Sequence, residues 1–408
     1  MSQGRGAADD RPTGVRGWPG RARRAAARVP APWGYVLAVF AGSKLALSLV
    51  GVIALTAWDG VPGAPPPDEA MMRDQQHAAS PYRWVSLWFA WDSFLYDHLA
   101  RRPLAGWDEF AFPLLYPFLA RPVAALFGGD TALALLLVAN VAFLFQLYYA
   151  HRLGELLTGD DATARRFVRY LLLLPVAFLF QAALTESLFL CLALAAFHLA
   201  ERRRWLLVGV VGFFLALSRS VGFLVVVPLA LVLLRQHSYR LNARALLRYA
   251  RLGWPLALLP AGWLTFMAFA AWRTGDWFAY QHAQERGWGI RVQDPLWVAY
   301  HGLTGGSAAD AARVWLAVAV VAVVAAGYRR AELPYLVYTL IVVLVPLSMG
   351  PPVYKSLLRY LLAAFPVGLV LARWARHATA DTWLTAALAL LQGALFVVWL
   401  TYWTHFVI

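Results

Sequence analysis

Charge is what this 408-residue chain has least of. Asp, Glu, Lys and Arg together make up 14% of it, against 61% for hydrophobic residues. A water-soluble domain cannot cover its surface with so few charges, so a polytopic membrane protein is expected instead. Cysteine is a single residue, Cys191, in an apolar run, which excludes an intramolecular disulfide and a thiolate zinc site. Lysine is confined to Lys44 and Lys355, with arginine used elsewhere, a bias that fits a GC-rich bacterial genome. Acidic residues number 22 against 36 basic ones, a net charge of +14. That excess builds no basic domain. The arginines sit in short clusters between apolar runs, so nucleic-acid binding is not expected. No Gly-rich phosphate loop follows a strand, which argues against direct use of ATP or a nucleotide sugar.

Residues 1–32 are rich in Gly, Pro, Ala and Arg and show no apolar period; they read as a disordered basic cytoplasmic arm rather than a signal peptide. Residues 33–408 read as one all-α transmembrane domain. Apolar runs fall at 33–57, 131–150, 167–181, 186–200, 205–217, 221–234, 254–271, 314–327, 333–349, 357–371 and 382–404. Several are shorter than the roughly 20 residues that cross hydrocarbon, so they must thin the bilayer or line a cavity. The arginine clusters before the first run and after the second, fourth, sixth, eighth and tenth all share one side if there are eleven spans. The other, extracytoplasmic side then receives two long loops, 58–130 and 272–311. It also receives Thr185-Glu186-Ser187, Ser218-Arg219-Ser220, Tyr354-Lys355 and Arg359. Almost every unusual polar residue gathers at that face.

The first outer loop holds the densest chemistry. From Trp84 to Arg101 there is no helix breaker, and Trp84, Trp88, Trp91 and Leu95 fall on one helical face, as expected of an interfacial helix. Asp92 and Tyr96 are four apart and project together. Asp92 is either a solvated cap on an interfacial anchor or a general base, its pKa raised by the low dielectric of the membrane surface. Phe110 to Leu126 is too short and too Pro-rich to span; Pro113 and Pro117 are expected to break it. Tyr116 can offer a hydroxyl to substrate or serve as one more interfacial aromatic. Glu186 follows a Thr and opens a helix, where it suits the positive end of the dipole. In the second loop, His282, Gln284 and Trp288 can meet a sugar or phosphate, or simply pack on the first loop. There is no HExxH and no Cys pair, so metal-independent chemistry is expected, with a weakly held divalent cation on a phosphate left open.

Taken in order, Trp91-Asp92-Ser93 with Tyr96, Phe112-Pro113-Leu114-Leu115-Tyr116-Pro117, Thr185-Glu186-Ser187-Leu188-Phe189, Leu217-Ser218-Arg219-Ser220-Val221-Gly222 and Leu357-Leu358-Arg359-Tyr360 resemble PIG-V-like mannosyltransferases of the GT-C class. The Phe-Pro run carries one leucine more than the family pattern. The resemblance implies a GT-C fold of about eleven transmembrane helices with interfacial helices in the first outer loop. It implies transfer of a sugar, mannose foremost, from a polyprenyl-phosphate donor to an extracytoplasmic glycolipid, polysaccharide or protein, with inversion. Asp92 is then the base; Arg219, Lys355 and Arg359 hold the donor phosphate; Tyr96, Tyr116, Glu186, His282, Gln284 and Trp288 line the substrate. The short helices between Phe167 and Leu234 are expected to wall a groove for the lipid tail. Two other classes remain open: a lipid or sugar transporter, which predicts midplane charges and inverted repeats, and a non-catalytic subunit of an envelope complex.

Overall fold

The computed structural model of the chain describes residues 32–62, 83–102, 104, 106, 108–328 and 332–401. The basic arm expected at 1–32 thus falls, apart from Pro32, outside the described residues. No strand occurs among the described residues; the α-helices of five or more residues are α1 (Trp33–Asp59), α2 (Asp92–Arg101), α3 (Leu115–Ala125), α4 (Thr131–Thr158), α5 (Asp161–Leu172), α6 (Glu186–Glu201), α7 (Trp205–Ser218), α8 (Val226–Gln236), α9 (Ala243–Gly253), α10 (Leu258–Thr274), α11 (Ala279–Trp288), α12 (Pro295–Thr304), α13 (Ala308–Ala326), α14 (Leu333–Leu347), α15 (Leu357–Leu361), α16 (Pro366–Trp374) and α17 (Ala378–Leu400). By length and apolar composition, five helical stretches can cross a membrane: within α1, all of α4, α9 running on into α10, α13 and α17. The pair Pro351–Leu361 and Pro366–Trp374, bent by 51°, makes a sixth if it is one broken span. Three further apolar helices, Trp205–Ser218, Ser220–Gln236 and Leu333–Leu347, are shorter.

Local chemistry sets these elements. Helix α4 starts because the Asp130 side chain accepts from the Leu133 amide at 2.9 Å, and it stops at Gly159 in the left-handed region, φ 72°. Its central position follows from composition: it is apolar on every side and packs against α3, α5 and α6. Helix α6 packs in turn on α7, and α7 on α10. The α7–α8 hairpin turns tightly at Arg219 because Gly222 is there; a Cβ at that position would lie 2.2 Å from the Leu215 carbonyl oxygen.

Proline shifts several boundaries away from the apolar runs. The run at 167–181 is not one helix: α5 ends at Leu172, Pro175 interrupts, and a 3-10 turn Ala177–Gln181 follows. The run at 357–371 likewise breaks before Pro366. The stretch from Trp84 to Arg101 is also interrupted, at residues 87–91, so its tryptophans do not form one stripe. Trp84 is exposed whereas Trp88 is buried in the core against Phe396. Pro117 does not break α3; it occupies the first turn, where a missing amide hydrogen costs nothing.

Candidate active site

The interruption before α2 is what places Asp92. Trp91 adopts φ 53°, a region a residue with a Cβ rarely enters, and Asp92 then opens α2. Such a backbone costs about 1–3 kcal/mol and persists only where its surroundings hold it. Here they do. Ala183 N donates to Trp88 O at 3.0 Å, joining the segment that leads into Asp92 to the segment that leads into Glu186. Lys44 of α1 stands 3.4 Å from the Trp88 ring centroid and donates from Nζ to the Gln181 carbonyl at 3.2 Å. One cation thereby clamps both approaches. Sequence reading noted Lys44 only as a rare residue type; no local pattern links it to Trp88.

Asp92, Glu186, Arg219 and Arg359 form a single buried ionic cluster. Arg359 donates from Nη1 to Asp92 Oδ2 and from Nε to Glu186 Oε1, and Arg219 donates from Nη1 to the same Glu186 oxygen at 2.9 Å. Side-chain exposure is 1% for Glu186, 5% for Arg359, 11% for Arg219 and 12% for Asp92. Ions removed from water this far are stable only when matched, and two guanidiniums here face two carboxylates. Glu186 therefore does more than complement a helix dipole; it is the hub between the two arginines. Thr185, the residue before it, makes no side-chain cap.

Some polar atoms in the cluster are left over. Asp92 Oδ1 makes no hydrogen bond to a described residue, and neither do Nε and Nη2 of Arg219. Glu186 Oε2 is buried without a partner among the described residues. An orphan carboxylate oxygen in the interior is costly and is expected where a donor group is to be received. Arg219 also lies over the Tyr360 ring at 4.7 Å. Burial pushes the Tyr280 hydroxyl of α11 up to about 12 against an opposing effect of the Ser220 side chain, so α11 reaches the arginine turn. Sequence reading missed Tyr280.

An aromatic wall adjoins the cluster. Tyr96, one turn beyond Asp92, packs edge-on against Tyr116 at 5.2 Å and Phe112 at 5.4 Å, with its hydroxyl 3.5 Å from Thr185 Oγ1. Burial holds that phenol above its ordinary range, so it stays a neutral hydroxyl. Phe112 meets Trp288 edge-on at 5.4 Å, and Trp288 is 40% exposed. The hydroxyl of Tyr116 is already engaged, donating to the Leu135 carbonyl at 2.9 Å.

The remaining predicted residues fall outside the cluster. Gln284 Nε2 donates to the Ala111 carbonyl at 2.6 Å and pins α11 to the 3-10 turn Asp108–Ala111. His282 lies at the exposed surface, 2.6 Å from Asp276, and its hydrogen bond holds the Asp276 carboxyl below its ordinary range. Lys355 is exposed, four residues before Arg359, and no ion pair joins it to the four. Among the described residues no three His, Cys, Asp or Glu side chains converge to hold a metal ion.

A cavity elsewhere in the fold is lined by none of the four cluster residues. It is an apolar cleft of about 170 Å³ whose lining includes Val176, Leu316, Val320, Leu358, Leu362 and Leu371. The groove wall expected from the helices between Phe167 and Leu234 is contributed there only by residues 174–176.

No protein-family model matches the chain, and no curated protein is similar to it.

Proposed function

We propose that this chain is an integral-membrane glycosyltransferase of GT-C type, with about eleven membrane crossings and its site on the extracytoplasmic face. It transfers a sugar, mannose foremost, from a polyprenyl-phosphate donor to an extracytoplasmic acceptor with inversion. One observation carries the reading: a carboxylate with a free oxygen, Asp92, is buried in the same ionic cluster as two arginines, one of which keeps two guanidinium nitrogens unengaged.

The chemistry follows from those atoms. The acceptor hydroxyl oxygen attacks the anomeric carbon from the face opposite the phosphate. Asp92 Oδ1 takes the hydroxyl proton, the bond from the anomeric carbon to the phosphate oxygen breaks, and polyprenyl phosphate leaves with the electron pair. Arg219, through Nε and Nη2, meets the developing charge as a fork, and the exposed Lys355 adds a mobile point charge. Arg359 has another duty, holding Asp92 and Glu186 in register through its two hydrogen bonds. Glu186 Oε2 accepts from a sugar hydroxyl. The open edge of Trp288 and the Tyr96–Phe112 wall offer apolar faces to a pyranose ring.

The experiment is transfer itself. The purified chain in vesicles is given a panel of polyprenyl-phosphate sugars bearing a labelled sugar, together with membrane extracts as acceptor. A labelled product formed from a polyprenyl-phosphate hexose supports the reading. Movement of the intact donor across the bilayer without covalent change overturns it in favour of a transporter.

A further inference from the structure

At the other end of the α7–α8 hairpin from Arg219, the chain enters α9, a short helix of uncommon exposure. None of its residues is buried, and Leu246 and Leu247 are 52% and 73% exposed. Arg244, Arg248 and Arg251 recur at positions i, i+4 and i+7 and so share one face. No acidic residue occurs in the sequence between Glu201 and Asp276. Among the described residues these three arginines make no ion pair, whereas Arg235, just upstream, is matched by Glu201. Three positive charges on one face thus lack a counter-ion among the described residues.

Length indicates what supplies it. Helical turns run without interruption from Ala243 to Thr274, 32 residues, in a stretch whose composition suits a membrane span. At about 1.5 Å per residue that is about 48 Å, against about 30 Å of hydrocarbon. The excess of about 18 Å equals roughly twelve residues, close to the whole of α9. Helix α10 therefore fills the hydrocarbon and α9 emerges at the level of the head groups. Leu246 on the flank opposite the arginines, Leu247 at the edge of their face, and the 59% exposed Trp254 at the junction suit the boundary between acyl chains and head groups. A soluble acidic partner would meet the arginines but leave those apolar side chains in water.

We propose that α9 is a docking surface for anionic phospholipid, Arg244, Arg248 and Arg251 binding lipid phosphates at the membrane face opposite the acid–arginine cluster. Asn242 fixes where this surface begins, its side chain accepting from the Ala245 amide at 2.9 Å. The attraction weakens with salt, because the charges are solvent-facing.

The full chain in vesicles of phosphatidylcholine containing a minority of phosphatidylglycerol is released gently into detergent, and retained lipids are counted by native mass spectrometry. Phosphatidylglycerol is expected to be enriched over its share of the vesicle, and the enrichment to fall as salt is raised. The triple variant Arg244→Gln, Arg248→Gln, Arg251→Gln should reduce the enrichment by about fivefold per arginine. Equal enrichment in the triple variant, or enrichment indifferent to salt, overturns the proposal. So does binding of an oligonucleotide with no preference among lipids. Should the triple variant not fold, the salt series on the unaltered chain decides. The readout is lipid retention alone, so it stands apart from glycosyl transfer.

Discussion

Arg359 donates to Asp92 across 267 residues of sequence, and the two side chains meet in the interior. Through Nε the same guanidinium reaches Glu186, which binds Arg219 in turn. The planar fork of arginine is what allows one side chain to serve two carboxylates, and a lysine could not hold both in fixed geometry. The cluster is at once an electrostatic link between α2, α6, α15 and the α7–α8 turn and the proposed site of transfer.

Its weakest point to attack is the hub. Glu186→Gln leaves two buried guanidiniums facing a single carboxylate. Breaking a buried pair in this way costs about 3–5 kcal/mol. Chemical or thermal unfolding of the variant in lipid nanodiscs should show that loss. A change under about 1 kcal/mol, the scale of an exposed pair, would mean that the cluster is open to water.

Lys44→Met removes the charge that clamps Trp88 and Gln181 while keeping the apolar stem. A desolvated cation over an indole face contributes about 2 kcal/mol, and the strained Trp91 backbone loses a support with it. Turnover should fall several-fold with the donor KM little changed, since Lys44 acts through Asp92 and touches no substrate. Lys44→Arg should restore much of the turnover. A raised KM at unchanged turnover would instead make Lys44 part of the binding surface.

Asp97 gives the pH dependence. It is 1% exposed, bonded to Thr131 and paired with Arg101 at 2.7 Å, yet burial still raises its pKa above the ordinary value. The folded chain therefore holds this proton more tightly than the unfolded one. Its contribution to stability is full below the ordinary carboxylate range and is lost as pH rises through the raised value. Unfolding of the natural chain and of Asp97→Asn across a pH series isolates the term. The natural chain should lose ground to the variant as pH rises above about 4; the opposite slope contradicts the account.

The legible part of this protein was what local pattern encodes. All-helical membrane character follows from composition, and the i, i+4 pairing of Asp92 with Tyr96 survives in α2. Arg219 and Arg359 were visible as arginines bounded by apolar runs, although their common partner Glu186 read as a helix-dipole residue. Hub and dipole residue look alike in sequence, because the difference lies in side chains 33 and 173 residues away. The break at 87–91 was illegible for another reason. It contains no proline or glycine, and tertiary contacts from Lys44 and Ala183 impose it against the helical preference of the stretch. His282 illustrates the converse: a residue of suitable chemistry in a suitable loop has a nearer partner in Asp276. The breaks at Pro175 and Pro366 turn single apolar runs into pairs of short elements.

The central claim is that Asp92 takes the acceptor proton. Its most direct test is Asp92→Asn in the vesicle assay with labelled polyprenyl-phosphate mannose, expression and folding being checked in parallel. Asn keeps the shape and can still accept from Arg359, but it cannot act as a base. The account predicts transfer reduced by at least about a hundredfold, the lower end of what a positioned base contributes, with the donor still bound. Turnover close to that of the natural chain, in a folded Asp92→Asn protein, contradicts it.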